Sequence, residues 1–352
     1  MSNLKNLTHG QPVHQCLMML SNIAESKTKN GAPYMVFTAR DAHGNEMPGK
    51  KWQMDSNRIA ELSPFSLFVV TGKADDFGGK TSIVAEILDP LVDVTPAQIE
   101  QFLPKTPRNV QQMWDSLVKI VRSRVKDDPF LSMMLERMLI DANLCEDFNR
   151  WPAATANHHA YLGGLLEHTW SLCYAADKLL VLYPQISPSV VLFSLFVHDH
   201  GKIEEMSWAK GLEYTTVGKL SGHLYIGARK WRERAELALH DLGSSLPCGQ
   251  CMTECGIDMK VALATVDAVE HCILSHHGVT ENDWGSVVNP QTPEAVLVSH
   301  IDNMDAKVFG VLKAVDRKSW EPSQPQWVKD YSSRYYRPRP DQLGTQQTSA
   351  TK

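Results

Sequence analysis

The stretch from Ser189 to Lys202, SVVLFSLFVHDHGK, constrains the fold of this chain more than any other. Ser189 to Val197 is almost wholly apolar, which reads as a helix buried on every side, and Gly201 stands where a helix C-terminus favours glycine. A packed helix therefore delivers an adjacent His198-Asp199 pair to the floor of a cavity. A neutral imidazole nitrogen and a carboxylate oxygen suit divalent Mn, Mg, Fe or Zn, and one aspartate can bridge two ions. Taken alone, the dipeptide proves little and reads first as a helix-end histidine and a capping aspartate. The rest of the chain decides between these.

At 352 residues the chain exceeds what one hydrophobic core usually serves, so two domains are expected. Residues from about Val13 to Leu91 read as five short strands separated by turn signals at Lys29-Asn30-Gly31, Ala42-His43-Gly44-Asn45 and Phe77-Gly78-Gly79. Five strands in so short a stretch suggest a small closed barrel, and their spacing resembles an OB-fold. Such barrels commonly bind single-stranded nucleic acid through basic and aromatic side chains, here Tyr34, Phe37, Arg40, Lys51, Trp52 and Lys73. Phe37 and Trp52, taken singly, read first as core residues. Pro96, Pro104 and Pro107 mark 93–109 as a linker after a barrel domain of 1–92.

From Val110 the apolar spacing turns helical, giving an all-α domain over 110–320 and a tail over 321–352 whose end, DQLGTQQTSATK, has the composition of a disordered segment. No apolar run is long enough to span a bilayer, and MSNLKNLTHGQPVHQ lacks the features of a signal peptide, so no membrane partner and a cytoplasmic location are expected. Seven scattered cysteines fit reduced thiols. Cys248, Cys251 and Cys255 could hold a structural zinc if Cys272 or His240 supplied a fourth ligand. A net charge of -5 argues against wholesale coating of nucleic acid but leaves room for a basic groove.

All but His9, His14 and His43 of the 14 histidines fall between His158 and His300. The spacing predicts His158, His159 and His168 on one helix, His223 on another, His271, His276 and His277 towards the end of a third, and Asp302 on a fourth. Helices of a bundle can aim such residues into one cavity. The ordered series His168, His198-Asp199, His223, His276-His277, Asp302 resembles the ligand pattern of HD-domain metal-dependent phosphohydrolases. Taken whole, with NHHAYLGGLLEHT, HDHGKI, ILSHHG and EAVLVSHIDNMDAK, the chain resembles the YhaM-type 3′-to-5′ exoribonucleases, which join an OB-fold to an HD domain. His200 departs from the apolar residue usual there, and the insert LPCGQCMTECG is extra.

The resemblance implies a first metal at His168, His198, Asp199 and Asp302, and a second at His223, His276 and His277, with Asp199 bridging. It further implies two divalent ions, Mn foremost beside Mg, Fe and Zn. Lys202 would set a positive charge beside the phosphate, and His271 would orient a ligand or a phosphate oxygen. The function implied is exonucleolytic hydrolysis of single-stranded RNA, and by extension DNA, by a chain that could also self-associate. Two alternatives stand beside it: hydrolysis of nucleotides or cyclic dinucleotides, and nucleic-acid binding with an inactive HD domain. In the tail, Trp320, Trp327, Tyr331, Tyr335 and Tyr336 alternate with basic residues, a pattern suited either to a strand or to packing against the helices.

Overall fold

A computed structural model describes residues 3–62, 65–77, 79–155, 158–209, 212–244, 256–281, 285–315, 326–328 and 333–335. Cys248, Cys251, Cys255, Trp320, Tyr331 and Tyr336 lie outside these. The N-terminal strands are β1 (Pro12–Lys27), β2 (Pro33–Arg40) and β3 (Glu46–Lys51), then a short helix α1 (Ser56–Ala60), then β4 (Ser66–Phe77) and β5 (Lys80–Pro90). They close in the order β1-β2-β3-β5-β4, with β3 parallel to β5 at Gly49 and Ile83 and the other pairs antiparallel. This is the expected OB-fold barrel. The long β1 is bulged twice. The register slips between Val13 and Cys16 against β4 and between Ser21 and Ala24 against β2, where Gln15 and Asn22 take positive φ. Each bulge adds the twist that bends a long strand around a small barrel.

The segment expected to be a plain linker is ordered and packed. Thr95 and Gln98 form a reciprocal capping box that starts α2 (Pro96–Phe102), with Pro96 in its first turn. Its Ile99 and Phe102, with Leu103, are buried in one cluster with Met19 and Leu67 of the barrel and with Leu162, Trp208 and Leu212 of the helical region. The sequence shows the prolines but not that apolar residues between them find two partners. Phe102→Ala should cost about 3–5 kcal/mol, and denaturant melts should then show barrel and helices unfolding apart. A loss under about 1 kcal/mol, outside the range for a buried aromatic, would make the wedge incidental.

The helical region runs α3 (Val110–Val125), α4 (Pro129–Ile140), α5 (Ala142–Arg150), α6 (Gly164–Leu179), α7 (Pro188–Val197) and α8 (Lys202–Glu205). A two-stranded ribbon of β6 (Met206–Ser207) and β7 (Glu213–Tyr214) precedes α9 (Thr216–Ser244), α10 (Met259–Ser275) and α11 (Pro293–Val315), and β8 (Gln326–Val328) pairs with β9 (Ser333–Tyr335). Ser187 caps α7, Pro188 opens it, and every residue from Val190 to Val197 is buried against the surrounding helices. No helix among the described residues is long and apolar enough to cross a membrane.

Three glycines shape the site. His158 and His159 do not share the helix of His168. Gly163 at φ +78 caps α6, and a Cβ on Gly164 would lie 2.1 Å from the His159 carbonyl oxygen, so the preceding turn folds back onto the helix start. α9 breaks at Gly222, with φ 69 and ψ 156, and His223 begins its second segment.

Candidate metal centre

His198 is the C-cap of α7 and Asp199 lies in the turn that follows, while His276 is the C-cap of α10 with His277 next to it. His168 comes from α6, His223 from α9 and Asp302 from α11. His168, His198, Asp199 and His276 are at most 1% exposed, and Asp302 is 8% exposed.

In four of the histidines Nδ1 is already engaged. Nδ1 of His198 meets Leu195 O at 2.7 Å and Nδ1 of His276 meets Ile273 O at 2.8 Å, each the carbonyl three residues back. Nδ1 of His223 meets Glu205 Oε1 at 2.9 Å, and Nδ1 of His168 meets Asp305 Oδ2 at 2.8 Å. An N–H given to an oxygen at Nδ1 leaves Nε2 to offer its lone pair, the arrangement usual in metal-binding histidines.

The Nε2 atoms then face one another. Those of His168 and His198 are 3.4 Å apart, and those of His223 and His277 are 3.2 Å apart. Asp199 lies between the two groups. Its Oδ2 is 3.4 Å from His198 Nε2 and 3.6 Å from His168 Nε2. Its Oδ1 is 3.6 Å from Nε2 of both His223 and His276, and is buried with no hydrogen-bond partner. Imidazole nitrogens facing one another across such distances, beside an unpartnered carboxylate oxygen, make a setting that favours positive charge between them. The triads His168-His198-Asp302 and His223-His276-His277, and with them His198-Asp199-His276, hold their donor atoms close enough to bind metal ions. Imidazole nitrogens with carboxylate oxygens fit divalent ions.

The profile of the HD domain matches residues 165–307. The helical region contains an HD domain. Over 308 residues, 88% of this chain and 89% of the other, the sequence is 27% identical to the 3′-5′ exoribonuclease YhaM of Bacillus subtilis (strain 168). It is 26% identical to the protein of that name from Bacillus licheniformis over 322 residues, 91% of this chain and 93% of the other. The likeness thus covers the barrel as well as the HD domain.

Electrostatics in the HD domain follow from burial and proximity. Burial works against a charged Asp199, but Lys202 and His198 outweigh it and hold the carboxyl well below the usual range. Lys202, only 8% exposed, places Nζ 2.7 Å from Asp199 Oδ2. Burial likewise opposes charge on His168, yet hydrogen bonds to Asp302 and Asp305 raise it to about 10. Burial, helped by His276 and His223, pushes His277 down to about 2.

Two residues that sequence reasoning missed complete this shell. Asp305 accepts from His168 and also meets His159 Nε2 at 2.9 Å. Glu205 accepts from both the backbone N–H and Nδ1 of His223 at 2.9 Å, pinning the residue after the Gly222 break. The signal for Asp305 was available, one helical turn beyond Asp302 in HIDNMDAK.

His271, expected beside the ligands, sits elsewhere. Its Nε2 accepts the backbone N–H of Gln291 at 2.9 Å and so braces the segment entering α11. Five residues before His276, it lies about 140° around the helix from that residue. His200 packs edge-on against Phe148 and Phe196, which explains how a histidine occupies a position where an apolar residue is usual.

On the barrel the expected strand-binding residues divide. Phe37 is 3% exposed, and its ring fills the interior over Gly49, where a Cβ would come within 2.2 Å of it. It is core, not surface. Trp52, which also read as core, is 42% exposed, with Tyr34 at 4.6 Å between ring centroids and Lys50 5.1 Å from its ring. Lys51 donates to Glu86 O at 2.8 Å, Arg40 pairs with Glu46 at 2.7 Å, and Lys73 is exposed on β4.

Proposed function

We propose that the chain is a divalent-metal-dependent 3′-to-5′ exonuclease that hydrolyses single-stranded RNA to nucleoside 5′-monophosphates. The observation that carries this reading is the division of Asp199, one buried oxygen turned to each histidine group. His168, His198, Asp302 and Asp199 Oδ2 would hold one ion, and His223, His276, His277 and Asp199 Oδ1 the other. When bound, such a pair supplies Lewis acidity toward a phosphate oxygen and lowers the pKa of water. The chain fixes the spacing through Asp199, keeps that carboxylate ionised through Lys202, and adds the Lys202 charge beside the phosphate. Tyr34, Trp52 and Lys50 offer a stacking face for the strand, with α2 joining the barrel to the HD domain.

Direction and RNA preference rest on the YhaM relatives. DNA as a second substrate, Mn as the working ion, self-association and a cytoplasmic location belong to the same proposal. The test is purified protein with Mn, Mg, Fe or Zn on 5′-end-labelled single strands of RNA and DNA. Stepwise shortening with release of 5′-monophosphates is expected. Intact strands beside hydrolysed cyclic dinucleotides would point to the nucleotide phosphohydrolase reading, and tight strand binding without hydrolysis under any ion to an inactive domain.

Trp52→Ala should weaken strand binding by about 1–3 kcal/mol, the usual worth of one stacked base, while the rate at saturating strand stays unchanged. Added salt should weaken both proteins in parallel, because stacking releases no counterions. Unaltered affinity in the variant would remove the barrel face from the mechanism.

A further inference from the structure

A chain of partly buried polar contacts runs from the segment joining the two domains to one histidine of the metal centre. Thr106 Oγ1 donates to Glu167 Oε2 at 2.5 Å, and Arg108 Nε donates to Oε1 of the same carboxylate at 2.9 Å. The Tyr161 hydroxyl lies 2.9 Å from Glu167 Oε2 and 2.8 Å from His159 Nδ1. His159 Nε2 meets Asp305 Oδ2 at 2.9 Å, and that oxygen also accepts from His168 Nδ1 at 2.8 Å. His168 presents Nε2 to His198, Asp302 and Asp199.

Little in this path can shift independently. Glu167 is 5%, His159 1% and His168 0% exposed. The His159 ring stacks on Phe309 at 4.0 Å, and Gly164 leaves no space behind the His159 carbonyl. Burial and Glu167 raise the Tyr161 phenol far above its usual value, so it keeps its proton. That one proton has two acceptors within reach, His159 Nδ1 and Glu167 Oε2. The phenol donates to Glu167 Oε2 beside Thr106 and Arg108 while its oxygen also contacts His159 Nδ1, so carboxylate, phenol and His159 ring are held in one geometry with His159 Nε2 on Asp305. The outer end of the path thereby bears on the orientation of His168.

We propose that Thr106, Arg108, Glu167, Tyr161 and His159 are positioning residues through which the interdomain segment sets the His168 ring and hence the affinity of the first ion. The proposal rests on the two-ion reading above. It makes the HD domain dependent on residues outside its matched span, since Thr106, Arg108, His159 and Tyr161 all precede residue 165. Partners behind a metal-binding histidine typically change metal affinity about 10- to 100-fold when removed.

The test is titration of the metal-free full chain with Mn, followed by calorimetry and by the electron paramagnetic resonance of free Mn, with no substrate present. Tyr161→Phe removes the hydroxyl and keeps the ring. The affinity of one ion should fall about tenfold while that of the other stays within error. Arg108→Ala, at a half-exposed position, serves where Tyr161→Phe folds poorly and should act in the same direction. The double variant should fall short of the two single effects added together, because both cut one path. Equal weakening of both ions, which a general loss of packing would produce, or no change in either, overturns the relay and leaves the two-ion reading standing. Failure of the unaltered protein to take up any ion overturns both.

Discussion

An Asp199→Asn protein is expected to lose hydrolysis by about a thousandfold or more, some 4 kcal/mol of transition-state stabilisation, while remaining folded and still binding single strands. Asparagine keeps one oxygen for Lys202 but forfeits the charge that both histidine groups share, so bound divalent metal should fall below two ions per chain. Alanine is the poorer choice. It strands the Lys202 ammonium, 8% exposed and 2.7 Å from its partner, and breaking such a buried pair costs about 3–5 kcal/mol. Metal analysis beside single-turnover kinetics checks the expectation. Full activity at unchanged metal content would remove Asp199 from the reaction.

Gly201→Ala should be nearly as damaging, although no side chain of chemical interest is altered. The backbone at Gly201, φ -60 and ψ -25, suits alanine, so conformation is no obstacle. Space is the obstacle: a Cβ there would stand 2.1 Å from the His223 carbonyl oxygen and 2.8 Å from the Gly227 nitrogen. Reaching an ordinary 3.4 Å contact means parting the Asp199 turn from α9 by more than 1 Å. Overpacking of this kind costs about 1–3 kcal/mol, and misplacement on that scale can cost about 10²-fold in rate. On the two-ion reading, metal binding at His223, His276 and His277 should weaken more than at the other group, a difference that metal titration resolves. Activity equal to that of the unaltered protein would show that α9 can yield without disturbing His223.

The barrel was legible because its turns carry Asn-Gly and Gly-Gly signals and its strands alternate. The cavity was legible because histidines and aspartates have few other reasons to recur at the ends of apolar helices. What the sequence concealed was tertiary. Phe37 and Trp52 are both aromatic residues in or beside a strand, and only the closure of the barrel over Gly49 decides which is inside. The proline-rich segment suggested a spacer because its apolar residues, Ile99, Phe102 and Leu103, gain meaning only from partners far away in sequence. His158 and His159 seemed to share the helix of His168 because helical spacing continues through Gly163, and a left-handed glycine does not show in a periodicity. Asp305, Glu205 and Tyr161 were passed over because each touches a histidine and none need touch an ion.

Helices α7 and α10 both terminate at this cavity, at His198 and His276, so their carbonyl ends converge on it. Those ends carry the negative pole of each helix. Asp199, Asp302 and Asp305 add three anionic groups, faced by the Lys202 ammonium and by His168, which they hold in its charged form. The resulting field draws in cations and turns a phosphate away. On the two-ion reading, ions would arrive first and invert the local polarity before a strand end could settle, which would make order of arrival a property of the backbone as much as of the side chains.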